Sequence, residues 1–243
     1  MKFLNPGLKL LFTGLFLFLH ISCQPAQNKY AENRFVSFVA DPETTDIQFY
    51  WKDDAGKPFM LLQNLKTYLE GKGKKLRFAM NGGMYMENTT PLGLYIAHGK
   101  TVRPLNTRKA SGNFYLQPNG VFYLTNSGQA FVTETGKFTP TQEIKFATQS
   151  GPMLLINGQI NPVFQVGSKN LNVRNGVGIL PGGKVLFAMS KEAINFHDFA
   201  TYFQKKGCKQ ALYLDGYVSR TYHPEQNWQQ LDGDFGVIIG ITE

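Results

Sequence analysis

Cysteine is scarce in this sequence. It has two, Cys23 and Cys208, too few for a disulfide framework. They form no Cys-x-x-Cys pair, no His-Glu-x-x-His occurs, and the histidines are scattered, so no spacing argues for zinc. A Gly-x-Ser-x-Gly elbow, a Walker loop and a dinucleotide fingerprint behind a strand are missing too. The common serine-hydrolase and nucleotide-binding readings therefore lose support. Charged residues make up only 17% of the 243, and 25 Gly with 12 Pro fall short of low complexity. Disorder, collagen and coiled coil are excluded. There is no fixed-period repeat, and no linker divides the chain.

What is present begins with an export signal. Lys2 and Lys9 precede an apolar run over residues 10–21, too short to span a bilayer and right for a signal peptide. It ends at Ile21-Ser22-Cys23, where a small residue before cysteine resembles a bacterial lipoprotein cleavage site. On this reading residues 1–22 are a lipoprotein-type signal peptide, Cys23 carries the lipid and residues 23–34 are a polar tether. The protein is then exported, faces the periplasm or cell exterior, and meets a membrane only through its anchor. Ordinary cleavage near Cys23 and a retained anchor are the other readings. Loss of Lys2 and Lys9 lowers the formal charge of +8 by two. The remaining surplus fits an anionic partner, and an exported chain without a nucleic-acid motif points away from nucleic acid. Cys208 has no histidine base beside it and reads as a core residue.

The body alternates strands with a few helices. Residues 35–39, 47–51, 76–80, 211–214 and 237–241 read as strands. Three hairpins are expected: 114–124 around Pro118-Asn119-Gly120, 153–160 around Asn157-Gly158, and 177–188 around Pro181-Gly182-Gly183. Leu62, Leu65 and Leu69 mark a helix over 58–70. Phe199, Tyr202 and Phe203 mark another over 197–206, with Asn195 as its cap and Gly207 as its stop. The expectation is an α+β fold in a single domain, residues 35–242, with a hairpin-rich mixed β-sheet and a few packed helices.

Three strand ends share one kind of punctuation. Strands stop at Asn81-Gly82-Gly83, at Gln149-Ser150-Gly151 and at Asp215-Gly216. Each is an ordinary turn signal by itself. Together they suggest one site at a sheet edge, where glycine would let backbone approach a ligand. Arg174-Asn175-Gly176 precedes another strand, and an arginine there could clamp a phosphate or carboxylate. Ser219 lies four residues past Asp215.

These residues resemble a family. Asn81-Gly82-Gly83-Met84-Tyr85 with Pro91-Leu92-Gly93-Leu94 is similar to the opening motif of the phosphodiester glycosidases, in their short bacterial branch. Asn113-Phe114-Tyr115, Gln149-Ser150-Gly151-Pro152, Arg174-Asn175-Gly176-Val177-Gly178, Asn195-Phe196 and Leu212-Tyr213-Leu214-Asp215-Gly216 continue it. Two positions depart from the pattern. Tyr217 stands where longer relatives often have glycine, and Asn175 where they often have threonine.

The resemblance implies hydrolysis of a sugar-1-phosphodiester at the anomeric carbon, on an envelope or extracellular glycan. A phosphomonoester has a second pKa of about 6 and leaves readily, so one essential carboxylate could suffice. In this scheme Asp215 is base, nucleophile or charge stabiliser, and Arg174 holds the phosphate. Asn81, Gln149, Ser150 and Asn195 bond the substrate, with Asn175, Ser219, Gly82 and Gly83 around them. Tyr85 walls the pocket and Glu192 is a reserve acid. No cofactor is required. The alternatives are another glycan hydrolase, a phosphodiesterase with a divalent cation on Asp215, and a non-catalytic glycan-binding lipoprotein.

Overall fold

The structure, a computed structural model, describes residue 1 and residues 32–243. Cys23, the signal peptide and nearly all of the tether lie outside the described residues. Among the described residues no helix is long and apolar enough to cross a membrane.

The strands in chain order begin with β1 (Phe35–Ala40), β2 (Ile47–Tyr50), β3 (Leu76–Asn81), β4 (Tyr95–Ala97) and β5 (Lys100–Arg103). Next come β6 (Gly120–Thr125), β7 (Ala130–Glu134), β8 (Ile144–Ser150), β9 (Met153–Ile156), β10 (Gln159–Ile160) and β11 (Asn175–Ile179). The last are β12 (Val185–Ser190), β13 (Gln210–Asp215), β14 (Thr221–His223), β15 (Trp228–Gln229) and β16 (Ile238–Thr242). They form three sheets, ordered β1-β12-β11-β13-β9-β10, β15-β14-β3-β16-β2 and β5-β4-β8-β6-β7. Neighbouring strands in all three are antiparallel.

The expected α+β class thus becomes a sheet-dominated fold with two α-helices, and the expected mixed sheet becomes three antiparallel ones. The three sheets close on one apolar core. Phe78 of β3 stacks on Phe187 of β12 at 5.6 Å, Phe122 of β6 meets Phe187 edge-on at 5.8 Å, and Phe49 of β2 lies 5.4 Å from Phe146 of β8.

The helices follow their apolar stripes. In α1 (Leu62–Glu70) Leu62, Leu65 and Leu69 are buried. The helix starts later than the spacing predicts, because Pro58 bridges to Lys52 and Met60 takes a positive φ of 61°. In α2 (Phe196–Lys205) Phe199, Tyr202 and Phe203 are buried, and Asn195 caps it through Asp198 N–H at 2.8 Å. Cys208 packs beneath α2, where burial pushes its thiol up to about 12. That keeps it protonated and inert, as a core cysteine should be.

The hairpins β9–β10 and β11–β12 form as the turn residues predict. The one expected over 114–124 does not. Asn113–Tyr115 is a 3-10 turn that buries Phe114, and β6 pairs instead with β7 and β8. One property of the fold prepares the site. The strands β3, β8, β11 and β13 are all interior, held by neighbours on both sides, so their ends are fixed in space.

Candidate active site

Asp215 ends β13 beside a β-bulge. Tyr213 pairs with Gly176 and Asp215 with Asn175, which leaves Leu214 as an extra residue. A bulge bends the strand and orphans a backbone group. Here Ser150, at the end of β8, donates its hydroxyl to Leu214 O at 2.7 Å. Ser219 donates to Asp215 O at 3.0 Å from beyond the turn.

Three donors converge on the carboxylate. Gly216 N–H and Tyr217 N–H donate to Oδ1 at 2.6 and 3.2 Å, and Asn81 Nδ2 donates to Oδ2 at 3.0 Å. The orientation of the Asn81 amide is dictated by its other end. Its Oδ1 accepts the backbone N–H of Arg220 at 3.1 Å and Nδ2 of Asn175 at 2.7 Å. The Asn81 amide protons therefore face Asp215. These bonds favour the charged carboxylate, but burial outweighs them and holds the carboxyl above its ordinary range.

Asp215 opens on a cleft of about 380 Å³, lined in part by Tyr85, Glu87, Asn113, Tyr213 and Tyr217. Burial and the nearby carboxylates of Asp215 and Asp234 push the Tyr85 hydroxyl up to about 12, so it stays a neutral donor. Asn113 also borders a second hollow of about 170 Å³, walled by Phe164, Asn170, Phe196 and His197 among others. A larger groove of about 570 Å³ lies between the 42–47 and 124–128 segments, but it shares no residue with the Asp215 network.

Arg174 is wholly buried, at 0% exposure, and does not line the cleft. Its guanidinium stacks on Phe196 at 3.7 Å. It donates to Ile194 O at 2.8 Å, to Asn170 O and Oδ1 at 2.9 Å, and to the Tyr213 hydroxyl at 3.2 Å. Burial lowers its pKa, and among the described residues Tyr213 partly offsets the shift. A direct arginine clamp on phosphate is therefore corrected. Arg174 reaches the cleft through the Tyr213 hydroxyl, which it polarises from behind.

Several other expected contacts prove to be framework. Gln149 is spent on Leu94 N–H and Asn106 N–H, both at 2.9 Å, and on Asn106 O at 2.8 Å. It ties the 94–106 segment to β8. Asn195 is committed to Asp198 at both ends of its amide. Ser150, Asn81, Asn175 and Ser219 are buried and hold backbone or one another. Gly82 and Gly83 make room for protein, not ligand. A Cβ on Gly82 would lie 2.8 Å from Ile239, and one on Gly83, at φ +153°, would lie 2.8 Å from Thr148 Oγ1. Glu192 pairs with Arg34 and does not line the cleft.

The acid that does share the cleft with Asp215 is Glu87, which the sequence reading passed over. Asn113 and Tyr213 stood in the family motifs but were given no role at the site, although both line the cleft. Among the described residues no three His, Cys, Asp or Glu side chains gather as a metal site.

Gly216 is the tightest point. A Cβ there would fall 1.8 Å from the Tyr213 hydroxyl. Gly216→Ala must expel the phenol and break its bond to Arg174. We expect a loss of activity as large as that of Tyr213→Phe, with a cost in stability of about 1–3 kcal/mol from overpacking. Thermal melts and rates measured on both variants check this.

Comparison with known proteins identifies a family. Residues 74–236 match the phosphodiester glycosidase family. A protein of Escherichia coli K12 called YigE, itself uncharacterised, is 39% identical over 187 residues, covering 76% of this chain and 73% of that one. Solved structures share the fold. The zebrafish N-acetylglucosamine-1-phosphodiester α-N-acetylglucosaminidase catalytic domain, auto-inhibited by its pro-peptide, aligns at TM-score 0.59 and 16% identity, over 88% of this chain and 86% of that one. A protein of Burkholderia pseudomallei K96243 aligns at 0.57 and 10% identity, over 85% and 73%. With the family match spanning Asn81, Arg174 and Asp215, the chain belongs to the phosphodiester glycosidase family.

Proposed function

We propose that the protein hydrolyses a sugar-1-phosphodiester at the anomeric carbon, releasing free sugar and a phosphomonoester. The observation that carries this reading is the pairing of one buried, bonded carboxylate with a polarised phenol in the same cleft. Asp215 has a lone pair left on Oδ2 beyond the one Asn81 uses. A water held there attacks the anomeric carbon as its proton passes to Asp215. The bond from that carbon to the phosphate oxygen breaks, and the phosphomonoester leaves with the electron pair. Tyr213, with Arg174 behind it, and Asn113 face the charge that grows on the phosphate. Such a leaving group needs little help from an acid, so Glu87 at the rim need not act as one.

The apolar run ending at Cys23 supports an exported, lipid-anchored protein acting on a phosphorylated glycan outside the cytoplasm. The test is a screen of sugar-1-phosphodiesters in labelled water, with and without chelator. We expect the label in the sugar. Label in the phosphate would mean P–O cleavage and overturn the reading, as would no turnover of any such substrate.

A further inference from the structure

Tyr217 is 94% exposed, although it stands on the most cross-tied turn of the site. Its own N–H bonds Asp215 Oδ1 at 3.2 Å. Ser219 and Arg220 fasten the turn to Asp215 O and Asn81 Oδ1. The ring, by contrast, makes no aromatic contact and its hydroxyl no hydrogen bond among the described residues. It lines the mouth of the Asp215 cleft beside Val218. A single exposed apolar side chain on an open surface needs no explanation. This one is different, because its backbone is anchored to the reacting carboxylate while its face is left to solvent in a concave site. An aromatic ring held ready in that way binds without the cost of ordering a loop.

We infer that Tyr217 is the stacking platform for the sugar. The apolar C–H face of a hexopyranose lies on the ring, which presents the anomeric carbon to Asp215. The inference rests on the phosphodiester reading for the orientation of the substrate. It goes further by naming the residue that holds the sugar ring. Tyr217 acts as a specificity-determining residue, through affinity more than through the chemical step.

The experiment is a calorimetric titration of the full chain with D-glucose 1-phosphate, in wild type, Tyr217→Ala and Tyr217→Phe. Tyr217→Ala is expected to weaken binding about tenfold, the usual worth of one aromatic stacking contact. Tyr217→Phe keeps the stacking face and should stay within about twofold of wild type. In turnover the Ala variant should lower kcat/KM by a similar factor, chiefly through a raised KM. Equal binding by wild type and Ala, an equal loss in Ala and Phe, or no binding by wild type would each overturn the platform. If the binding pattern holds while no sugar-1-phosphodiester is cleaved, the platform stands and the hydrolase reading falls.

Discussion

Asp215→Asn should reduce sugar release by about 10²–10⁴-fold, the usual share of a general acid or base, and still fold. The asparagine Oδ1 can keep both backbone N–H bonds from Gly216 and Tyr217. Its Nδ2 would face Nδ2 of Asn81, whose amide cannot turn because Arg220 N–H and Asn175 hold the other end. One hydrogen bond is therefore lost and a buried donor stranded, at about 1–3 kcal/mol, while the cost of a buried charge disappears. The two effects oppose each other, and at neutral pH the melting point should move by only about 2–4 °C. The pH dependence gives the sharper check. Because burial raises the folded pKa of Asp215, the native state of the wild type holds a proton that the unfolded chain has already released. Wild type should gain stability over the variant as the pH falls through that raised pKa, fully so below the unfolded value near 4, and lose the advantage as the pH rises. Melting curves of both proteins from pH 4 to 8 would show it, and parallel curves would mean that Asp215 is not strained by burial.

Arg174→Met should be damaging in a different way. It removes the charge behind Tyr213 and should lower kcat by about 10²–10³-fold, as loss of a group facing developing charge does. Unlike a surface clamp, it cannot leave the fold untouched. Ile194 O loses its donor inside the protein, and a stranded buried acceptor costs about 1–3 kcal/mol. A fall in melting point of about 5–10 °C should follow. Tyr213→Phe separates the roles, since the ring keeps its packing and only the relay hydroxyl goes. If Tyr213→Phe is fully active, Arg174 is structural alone.

The sequence showed where the site would be more clearly than what each residue would do there. The glycine-punctuated ends at Asn81, Ser150 and Asp215 do meet, since Asn81 bonds Asp215 and Ser150 bonds Leu214 O. The Asn195 cap and the hairpins around Asn157-Gly158 and Pro181-Gly182-Gly183 were legible because they depend on local chemistry. The false hairpin at 114–124 failed because β6 takes β8 as a neighbour, a pairing settled by packing across the chain. Polar strand ends were overread as ligand contacts for a related reason. A sequence does not tell whether Gln149 or Asn175 turns toward a cleft or toward a neighbouring backbone. The bulge at Leu214 was invisible, yet it creates the orphan carbonyl that Ser150 exists to satisfy. Glu87 and Glu192 changed places because loop geometry, not distance along the chain, decides which acid borders Asp215.

The amide chain behind Asp215 has a direction. Asn175 gives to Asn81, Asn81 gives to Asp215, and two backbone N–H groups give to the other oxygen. Amide protons at every step are fixed, so nothing can be relayed out through the back of the sheet. Among the described residues Asp215 is a cul-de-sac for protons that opens only on the cleft. In the proposed reaction, whatever proton Asp215 takes must leave by the path the substrate uses, so a bound product that stoppers the cleft would also hold the base in its spent form until it departs.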